Sequence, residues 1–264
     1  MSLEKSEAVL LKAHNWSESS RTVVFFASDF GRIALVDKGG RSLKSRRGRL
    51  LPFARLEITF YHSQRETRGY LREIDAIEVF SYEDEGGLGR LAYASAATEL
   101  LNLVLPEEEH QAQLYDYFVV YLRQLSTVAK KSLAPVFIAF YLRLLSHLGY
   151  HPSLGYCVTC GKALAEFRKT GRRMFSPARG GVICETCQKA GDYYIGFSSE
   201  AYGRLLTLQT ASLAEAALVP VRFAEASRFI EALTGLLTSQ TGLKSELKSL
   251  EFIEKLKKSK WTTT

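Results

Sequence analysis

Cys157-Val158-Thr159-Cys160-Gly161 and Cys184-Glu185-Thr186-Cys187 are the two stretches around which the second half of this chain is organised. They contain the only four cysteines among 264 residues. Two thiolates three positions apart on a tight turn can face one ion, and a second such turn completes a tetrahedron. Gly161 follows the first pair, where a turn of this kind needs a positive φ. The spacing predicts a structural zinc site, with one Zn²⁺ per chain held by Cys157, Cys160, Cys184 and Cys187.

The interval between the two cysteine pairs predicts a small hairpin. It comprises residues 161–183 and is 23 residues long, slightly longer than the roughly 15–20 residues usual in zinc ribbons. Met174-Phe175 and Val182-Ile183 flank a turn-forming stretch that contains a proline and two glycines, and this pattern is typical of a hairpin. We therefore assign residues 154–196 to a zinc-ribbon-like module with four cysteine ligands.

Two disulfides, or four reduced core cysteines, are the alternative interpretation. Disulfides suit a secreted chain, but residues 1–7 carry charges and no apolar core, so no signal peptide is visible. A catalytic zinc needs an open coordination position, and four thiolates close the shell. His147 and His151 are spaced i, i+4, but Gly149 and Pro152 break the helix there. We therefore expect a zinc ion that stabilises shape.

Length and composition are those of a globular protein with one to three domains. The chain is 46% hydrophobic and 24% charged. Its longest apolar run, Leu133 to Leu142, contains Pro135 and is too short to span a bilayer. We expect a cytoplasmic protein without a membrane partner. The net charge of +7 favours a polyanionic partner.

The amino-terminal residues predict β structure. Five candidate strands are rich in β-branched and aromatic residues and are separated by turn signals. They are Ala8–Leu11, Thr22–Phe26, Arg32–Val36, Leu56–Tyr61 and Tyr70–Ile74. Five short strands in about 80 residues suit a small closed barrel, of which the OB-fold is the common form. The predicted fold class is α+β, and residues 1–82 form its five-stranded OB-fold domain.

A strongly basic segment interrupts these strands between Lys38 and Arg55, where no Asp or Glu occurs. Uncompensated positive charges repel one another unless an anion binds, and basic residues on a loop between strands can follow a phosphate backbone. A solvated loop that only aids solubility is the alternative. We predict nucleic-acid contact by Lys38, Arg41, Lys44, Arg46, Arg47, Arg49 and Arg55.

Beyond residue 82 the hydrophobic period becomes helical. One helical pattern stops at Pro106, and a second runs from Leu114 to Leu125. A third extends to Leu148, with Ser132 as its expected N-cap and Gly149 as its stop. Helical patterns resume at about residue 198 with one helix around 223–237 and another around 247–256. These stripes predict a helical bundle domain of residues 83–153 and 197–264.

Several segments together carry a resemblance to one known family. They are Arg32–Arg41, Leu51–Phe53, Leu56–Tyr61, Phe140–Pro152 running into Cys157–Gly161, Phe175–Ser176, Gly180–Val182 and Cys184–Cys187. These segments resemble the bacterial recombination mediator RecO. The resemblance covers the whole chain in order: OB barrel, helices, four-cysteine insert, helices.

The resemblance implies a protein that is not an enzyme. RecO-like proteins bind single- and double-stranded DNA, anneal complementary strands, partner with RecR and contact single-strand-binding protein. They thereby help to load RecA onto coated DNA during repair and recombination. On this basis we expect a cytoplasmic, nucleoid-associated bacterial protein. The resemblance does not assign residues to the RecR surface, and a groove on the helical bundle is the family's expectation for the acidic, apolar-ended tail of single-strand-binding protein.

Two other functions stay open from the residues alone. A zinc-dependent nuclease or deaminase would need an open metal, but no H-x-E precedes a P-C-x-x-C, because Tyr156 stands before Cys157. An RNA-binding factor is the other alternative, since OB barrels bind RNA as readily as DNA.

Overall fold

Five strands follow one another at the amino-terminal end in the computed structural model, which describes residues 2–15, 18, 20–40, 50–62, 69–82, 87–166, 171–243, 247–249, 251–252 and 255. They are β1 (Ser2–Asn15), β2 (Arg21–Ala27), β3 (Gly31–Asp37), β4 (Ala54–His62) and β5 (Gly69–Val79). Each contains one of the five predicted segments. The structure extends β1 back to Ser2, beyond the predicted start at Ala8.

The five strands form a barrel. Their order is β1-β2-β3-β5-β4, and β4 pairs back with β1 from Ser2↔His62 to Ala8↔Leu56. Every pairing is antiparallel except the short parallel one between β3 and β5, at Leu35↔Gly69 and Val36↔Tyr70. This five-stranded architecture with a single parallel pair confirms the predicted OB-type barrel.

Alternation of apolar residues along the strands fills the barrel. Leu56, Ile58 and Phe60 on β4 are fully buried, whereas their neighbours on the same strand are partly exposed, as the period of two predicts. The barrel core is completed by apolar residues of the other four strands: Ala8, Val23, Phe25, Ala27, Ile33, Leu35, Leu71 and Ile74. Burial of these side chains stabilises the barrel.

Two helices accompany the barrel, α1 (Gly87–Val104) and α2 (Ala112–Thr127). Phe26 of β2 meets Tyr115 of α2 edge to face at 5.5 Å between ring centroids. The hydroxyl of Tyr121 donates to the carbonyl of Tyr93 at 3.0 Å and so joins α2 to α1. Because tyrosine hydroxyls that are buried need partners, this bond fixes how the helices pack.

The segment after α1 passes close to the barrel at Gly31, the first residue of β3. Gly31 has φ of 67°, and a Cβ atom there would lie 1.9 Å from the carbonyl oxygen of Glu109. Only glycine allows this approach. On the next residue, Arg32, the guanidinium donates to the carboxylate of Glu107 at 2.8 Å.

By compactness the chain divides into two units, Met1–Ser126 and Thr127–Thr264. Helices α1 and α2 therefore belong with the barrel in this division, whereas the helical domain predicted from the sequence begins at residue 83. The three-domain division stays a prediction.

The second unit contains four helices among its described residues: α3 (Leu133–His147), α4 (Ser199–Thr210), α5 (Leu213–Ala216) and α6 (Phe223–Thr241). The side chains of α3 pack against α4, α5 and α6. The predicted stop of α3 at Gly149 is confirmed by its φ of 82°. Ser132 stands at the N-cap of α3, as predicted, but its hydroxyl caps no backbone amide of the helix and donates instead to the carbonyl of Ala217 at 2.6 Å.

A three-stranded sheet completes this unit, with β6 (Arg173–Ser176) between β7 (Gly181–Ile183) and β8 (Ile195–Phe197). The pairings Met174↔Ile183 and Phe175↔Val182 confirm the predicted hairpin. Strand β8 has no counterpart in the sequence analysis. Its Phe197 packs on Phe229 of α6 at 5.4 Å between ring centroids.

Within the predicted helix around residues 247–256, the described residues 248, 249, 251, 252 and 255 are helical, whereas 250, 253, 254 and 256 lie outside the described residues. Within the described part of the chain, no helix combines the length and the apolar character needed to cross a membrane.

Candidate metal centre and nucleic-acid interface

The structure brings the four predicted ligands together. One sulfur atom from each of Cys157, Cys160, Cys184 and Cys187 lies within 4.8 Å of the others. The Sγ atoms of Cys160 and Cys184 are 3.7 Å apart. A tetrahedron with Zn–S distances of about 2.3 Å has edges of about 3.8 Å, so this separation fits a metal centre. All four cysteines are free, which does not support the disulfide alternative.

The first knuckle forms because its backbone closes on itself. The amide of Gly161 donates to the carbonyl of Cys157 at 2.9 Å, and the amide of Cys157 donates to the carbonyl of Lys162 at 2.8 Å. Gly161 has φ of 72°, the left-handed conformation that the sequence predicts there. The turn therefore directs both thiols of the first pair to one side.

The hairpin positions the second pair beside the first. Val158 donates to the carbonyl of Val182 at 3.0 Å, which ties the first knuckle to β7. Gly181 makes this possible, because a Cβ atom there would lie 2.4 Å from Cγ1 of Val158. At the end of β7, the amide of Cys184 donates to Sγ of Cys157 at 3.4 Å.

The pKa shifts of the cysteine thiols fit a site that binds a cation. Burial raises the pKa of Cys157, but amide donors from Cys184, Cys160 and Thr159 outweigh it and lower the pKa to about 6. Hydrogen bonds with the other thiols raise the pKa of Cys187 to about 12. Four sulfur atoms this close cannot all ionise without a positive charge among them. A bound divalent cation would supply that charge.

The donor set closes the coordination shell. Among the described residues, these four cysteines are the only group of three or more metal-binding side chains with converging ligand atoms. His151 is engaged elsewhere, with Nδ1 2.7 Å from the hydroxyl of Ser146 and Nε2 3.2 Å from the amide nitrogen of Gln209. The arrangement therefore fits a structural metal, since four thiolate ligands would fill a tetrahedral shell.

The basic segment lies between β3 and β4 of the barrel, as predicted. Lys38 is exposed and follows β3 directly, with its ammonium 4.1 Å above the ring of Tyr70. The nearest preceding carboxylate, Asp37, is buried and accepts from the guanidinium of Arg21 at 2.8 Å. Five predicted DNA contacts lie outside the described residues: Arg41, Lys44, Arg46, Arg47 and Arg49.

Arg55 differs from the other predicted contacts. It lies on β4, and its guanidinium makes two hydrogen bonds of 2.7 and 2.6 Å with the two carboxylate oxygens of Glu7 on β1. This partner raises the pKa of Arg55. Because Glu7 already accepts from the N–H groups along one edge of the guanidinium, we expect Arg55 to contribute less to phosphate binding than the other predicted contacts.

Fold and site together define a class of protein: an OB-type barrel with a basic loop, followed by a helical unit that carries a four-cysteine centre. Comparison with protein families agrees. Residues 1–80 match the family model described as "Recombination protein O N terminal", and residues 86–251 match "Recombination protein O C terminal". The chain belongs to the RecO family.

Curated relatives extend along the chain. A protein of Symbiobacterium thermophilum named "DNA repair protein RecO" is 28% identical and covers 98% of this chain and 100% of its own length. A Myxococcus xanthus protein of the same name is 31% identical over 69% of this chain and 71% of its own. One from Desulfitobacterium hafniense is 30% identical over 77% and 69%. The family supports a role in DNA repair and recombination.

One group of exposed charged and aromatic residues was not predicted from the sequence. Lys162 and Arg172 line a cavity together with Cys184, and Tyr193 lines a second cavity that also contains Arg172. In the sequence, residues 154–196 contain more basic than acidic residues, and the cysteine spacing does not indicate what these basic residues do.

Proposed function

We propose that this chain is a non-enzymatic DNA repair and recombination mediator. It binds single- and double-stranded DNA, anneals complementary strands and, with RecR, helps to load RecA onto DNA coated by single-strand-binding protein. Its place of action is then the bacterial cytoplasm, in association with the nucleoid. The observation that carries the proposal is membership of the RecO family together with a basic loop on an OB-type barrel.

The DNA-binding surface in this proposal is the β3–β4 loop, with Lys38, Arg41, Lys44, Arg46, Arg47 and Arg49 as the main contacts and Arg55 as a weaker one. Cationic side chains on one surface reduce the repulsion between two polyanions, and this promotes annealing without any reading of sequence.

The metal in this proposal is one structural Zn²⁺, held by Cys157, Cys160, Cys184 and Cys187. Thiolate ligands in a closed tetrahedral set are typical of structural zinc, and such an ion contributes free energy of folding. The two cysteine-containing turns would position the ion, and the ion itself would not contact DNA.

A strand-annealing assay across a salt series tests the proposed function. About five loop contacts to single-stranded DNA should contribute about −3.5 to the slope of log K against log salt, from about −0.7 per phosphate. We expect annealing of naked and coated complementary strands at low salt, insensitive to chelator added during the assay. A salt-independent affinity, or the absence of annealing at low salt, would contradict the proposal.

The same assay separates the alternatives. A zinc-dependent nuclease or deaminase would convert the DNA into product and stop when the metal is removed. An RNA-binding factor would hold an RNA strand more tightly than a DNA strand of equal sequence.

For single-strand-binding protein, we propose a groove of the second unit as the docking site of its acidic, apolar-ended tail. A cavity of about 440 Å³ is lined by Lys131, Arg222 and the apolar run Leu218–Pro220. Leu218 is 83% exposed, which is unusual for leucine without a partner. Apolar surface beside two cations complements a peptide that combines acidic and apolar side chains.

Two neighbouring lysines test the groove. Lys131→Glu is expected to weaken the binding of a synthetic tail peptide about tenfold, because it places a carboxylate opposite acidic residues. Lys130→Glu makes the same change one residue away, outside the cavity lining, and should alter binding less than about twofold. Equal effects of the two changes, measured by fluorescence anisotropy, would rule out this groove.

A further inference from the structure

Two cavities of the four-cysteine module meet at Arg172. One has a volume of about 220 Å³ and is lined by Lys162, Arg172 and Arg173 together with the second knuckle. The other has a volume of about 290 Å³ and is lined by Arg172, Tyr193 and Arg228. Arg172 is exposed and borders both, so the two cavities form one surface, which we call the module surface.

The charge of the module surface is mostly positive. Three cations line the smaller cavity, where Glu185 is the only carboxylate among the described lining residues. In the larger cavity two arginines face one carboxylate, that of Glu231. A zinc ion with four thiolates would carry a net charge of −2, so part of this positive charge offsets the metal centre. Lys162 is exposed directly after the first knuckle, so its positive charge is accessible to a ligand from solvent.

Arg172 is held across the small sheet. A Cβ atom on Gly196 of β8 would lie 3.2 Å from Nε of Arg172, so the missing side chain of Gly196 leaves room for the arginine. Arg228 donates to the carbonyl of the same residue, Gly196, at 2.7 Å. The two arginines therefore both lie close to Gly196 and line one cavity.

One exposed and one half-buried tyrosine lie beside these cations. Tyr193 is 63% exposed, and its hydroxyl donates to the carboxylate of Glu231. The hydroxyl of the half-buried Tyr194 donates to Asp192 and accepts from the amide of Lys189, at 3.0 and 2.9 Å. Because its hydroxyl is tied to Glu231, Tyr193 is restrained while most of the residue stays accessible to a ligand.

We propose that the module surface is a second binding site for single-stranded DNA, in which Arg172 and Lys162 contact phosphates and Tyr193 stacks on a base. Cations that follow a backbone, interleaved with aromatic rings, are the chemistry by which proteins bind single strands without reading sequence. Double-stranded DNA keeps its bases stacked inside and cannot use the tyrosine. The proposal rests on the proposed function, and it gives annealing a contact in the second unit in addition to the barrel loop in the first.

Two sets of variants in the full-length protein test this site with oligo(dT) across a salt series. Lys162→Gln with Arg172→Gln should reduce the magnitude of the salt slope by about 1.4, from two contacts of about 0.7 each. Lys12→Gln with Lys130→Gln removes the same charge from exposed lysines elsewhere and should leave the slope within about 0.3 of the wild type. An equal loss of slope in both double variants would overturn the site.

Stacking is tested separately at Tyr193. Tyr193→Leu should weaken oligo(dT) binding about fivefold or more, whereas Tyr193→Phe keeps the ring and should stay close to the wild type. Affinity for a duplex of equal length should change little in either variant. If leucine and phenylalanine have the same effect, the tyrosine does not stack.

Zinc content distinguishes this site from a purely structural role of the cations. If Lys162→Gln with Arg172→Gln loses zinc in parallel with DNA affinity, the cations serve the thiolates and the proposal is wrong. If the wild type itself binds no oligo(dT), the proposed function fails first. If the wild type binds and the double variant binds identically, only the module surface is refuted.

Discussion

Replacing Arg46 and Arg47 together with glutamate is expected to lower affinity for single-stranded DNA by on the order of 10²-fold at low salt. The two changes remove two phosphate contacts and place two carboxylates against the same polyanion, so the magnitude of the salt slope should also fall by about 1.4. The net charge of the chain falls from +7 to +3. The melting temperature should change little, because both residues lie in the sequence between the end of β3 and the start of β4, outside the strands that fill the barrel core.

A control with the same change of net charge separates local contact from general attraction. Lys12→Glu with Arg72→Glu makes it at exposed positions on β1 and β5. We expect this variant to lose less than about fivefold in affinity, since charges away from the contact act only through the screened field. Arg55→Gln should fall in the same small range, because Glu7 already occupies its guanidinium. Equal losses in all three variants, or unfolding of Arg46→Glu with Arg47→Glu, would contradict the loop assignment.

The barrel was predictable because each strand carries a local signal. In β4 the alternation of Leu56, Ile58 and Phe60 with partly exposed neighbours specifies both the strand and its inward face. The start of the first strand was not predicted, because Ser2 to Glu7 contain a single apolar residue, Leu3, and these residues pair with β4 only in the folded barrel. Pairing between distant segments is a tertiary effect that strand propensity does not contain.

The four-cysteine centre was predictable for a different reason. Metal ligation needs a particular residue type at a particular spacing, and Gly161 adds the conformation that the turn requires. Strand β8 was not predictable, because three residues are too short for a period and Ile195 and Phe197 are buried only by packing on neighbouring elements. Ser132 shows the same limit of local sequence patterns. Its hydroxyl donates to the carbonyl of Ala217, which is distant in sequence, and does not accept from a backbone amide of α3.

The module surface escaped the sequence analysis because its members are separated along the chain. Lys162 follows the first knuckle, Arg172 precedes β6 and Tyr193 precedes β8. A basic run such as Lys38 to Arg55 is visible in one dimension, whereas these residues meet only when β6 and β8 pair through Arg173↔Phe197 and Met174↔Gly196. Charge density along the sequence therefore detects a loop site and misses a site assembled by a sheet.

Replacing Cys157 with serine is expected to lower the free energy of unfolding of the second unit by about 4 kcal/mol or more, because metal-binding free energy in such a site is folding free energy. Cys157 is 1% exposed and its sulfur accepts the amide of Cys184, so a serine removes the central ligand of the cluster. We expect zinc to fall from one equivalent to nearly none by elemental analysis after purification under reducing conditions. The melting transition of this unit should fall by about 10 °C.

The barrel should survive this substitution, because its core is made entirely of residues in the first unit. Hydrogen exchange should therefore accelerate at β6, β7 and α6 and stay slow at β4, and DNA affinity should fall no further than in Lys162→Gln with Arg172→Gln. Thr159→Ala is the matched control, since it alters the same knuckle and loses the bond from Arg179 while all four thiols stay in place. A wild-type protein without stoichiometric zinc, or a Cys157→Ser protein that melts like Thr159→Ala, would refute a metal that stabilises this unit.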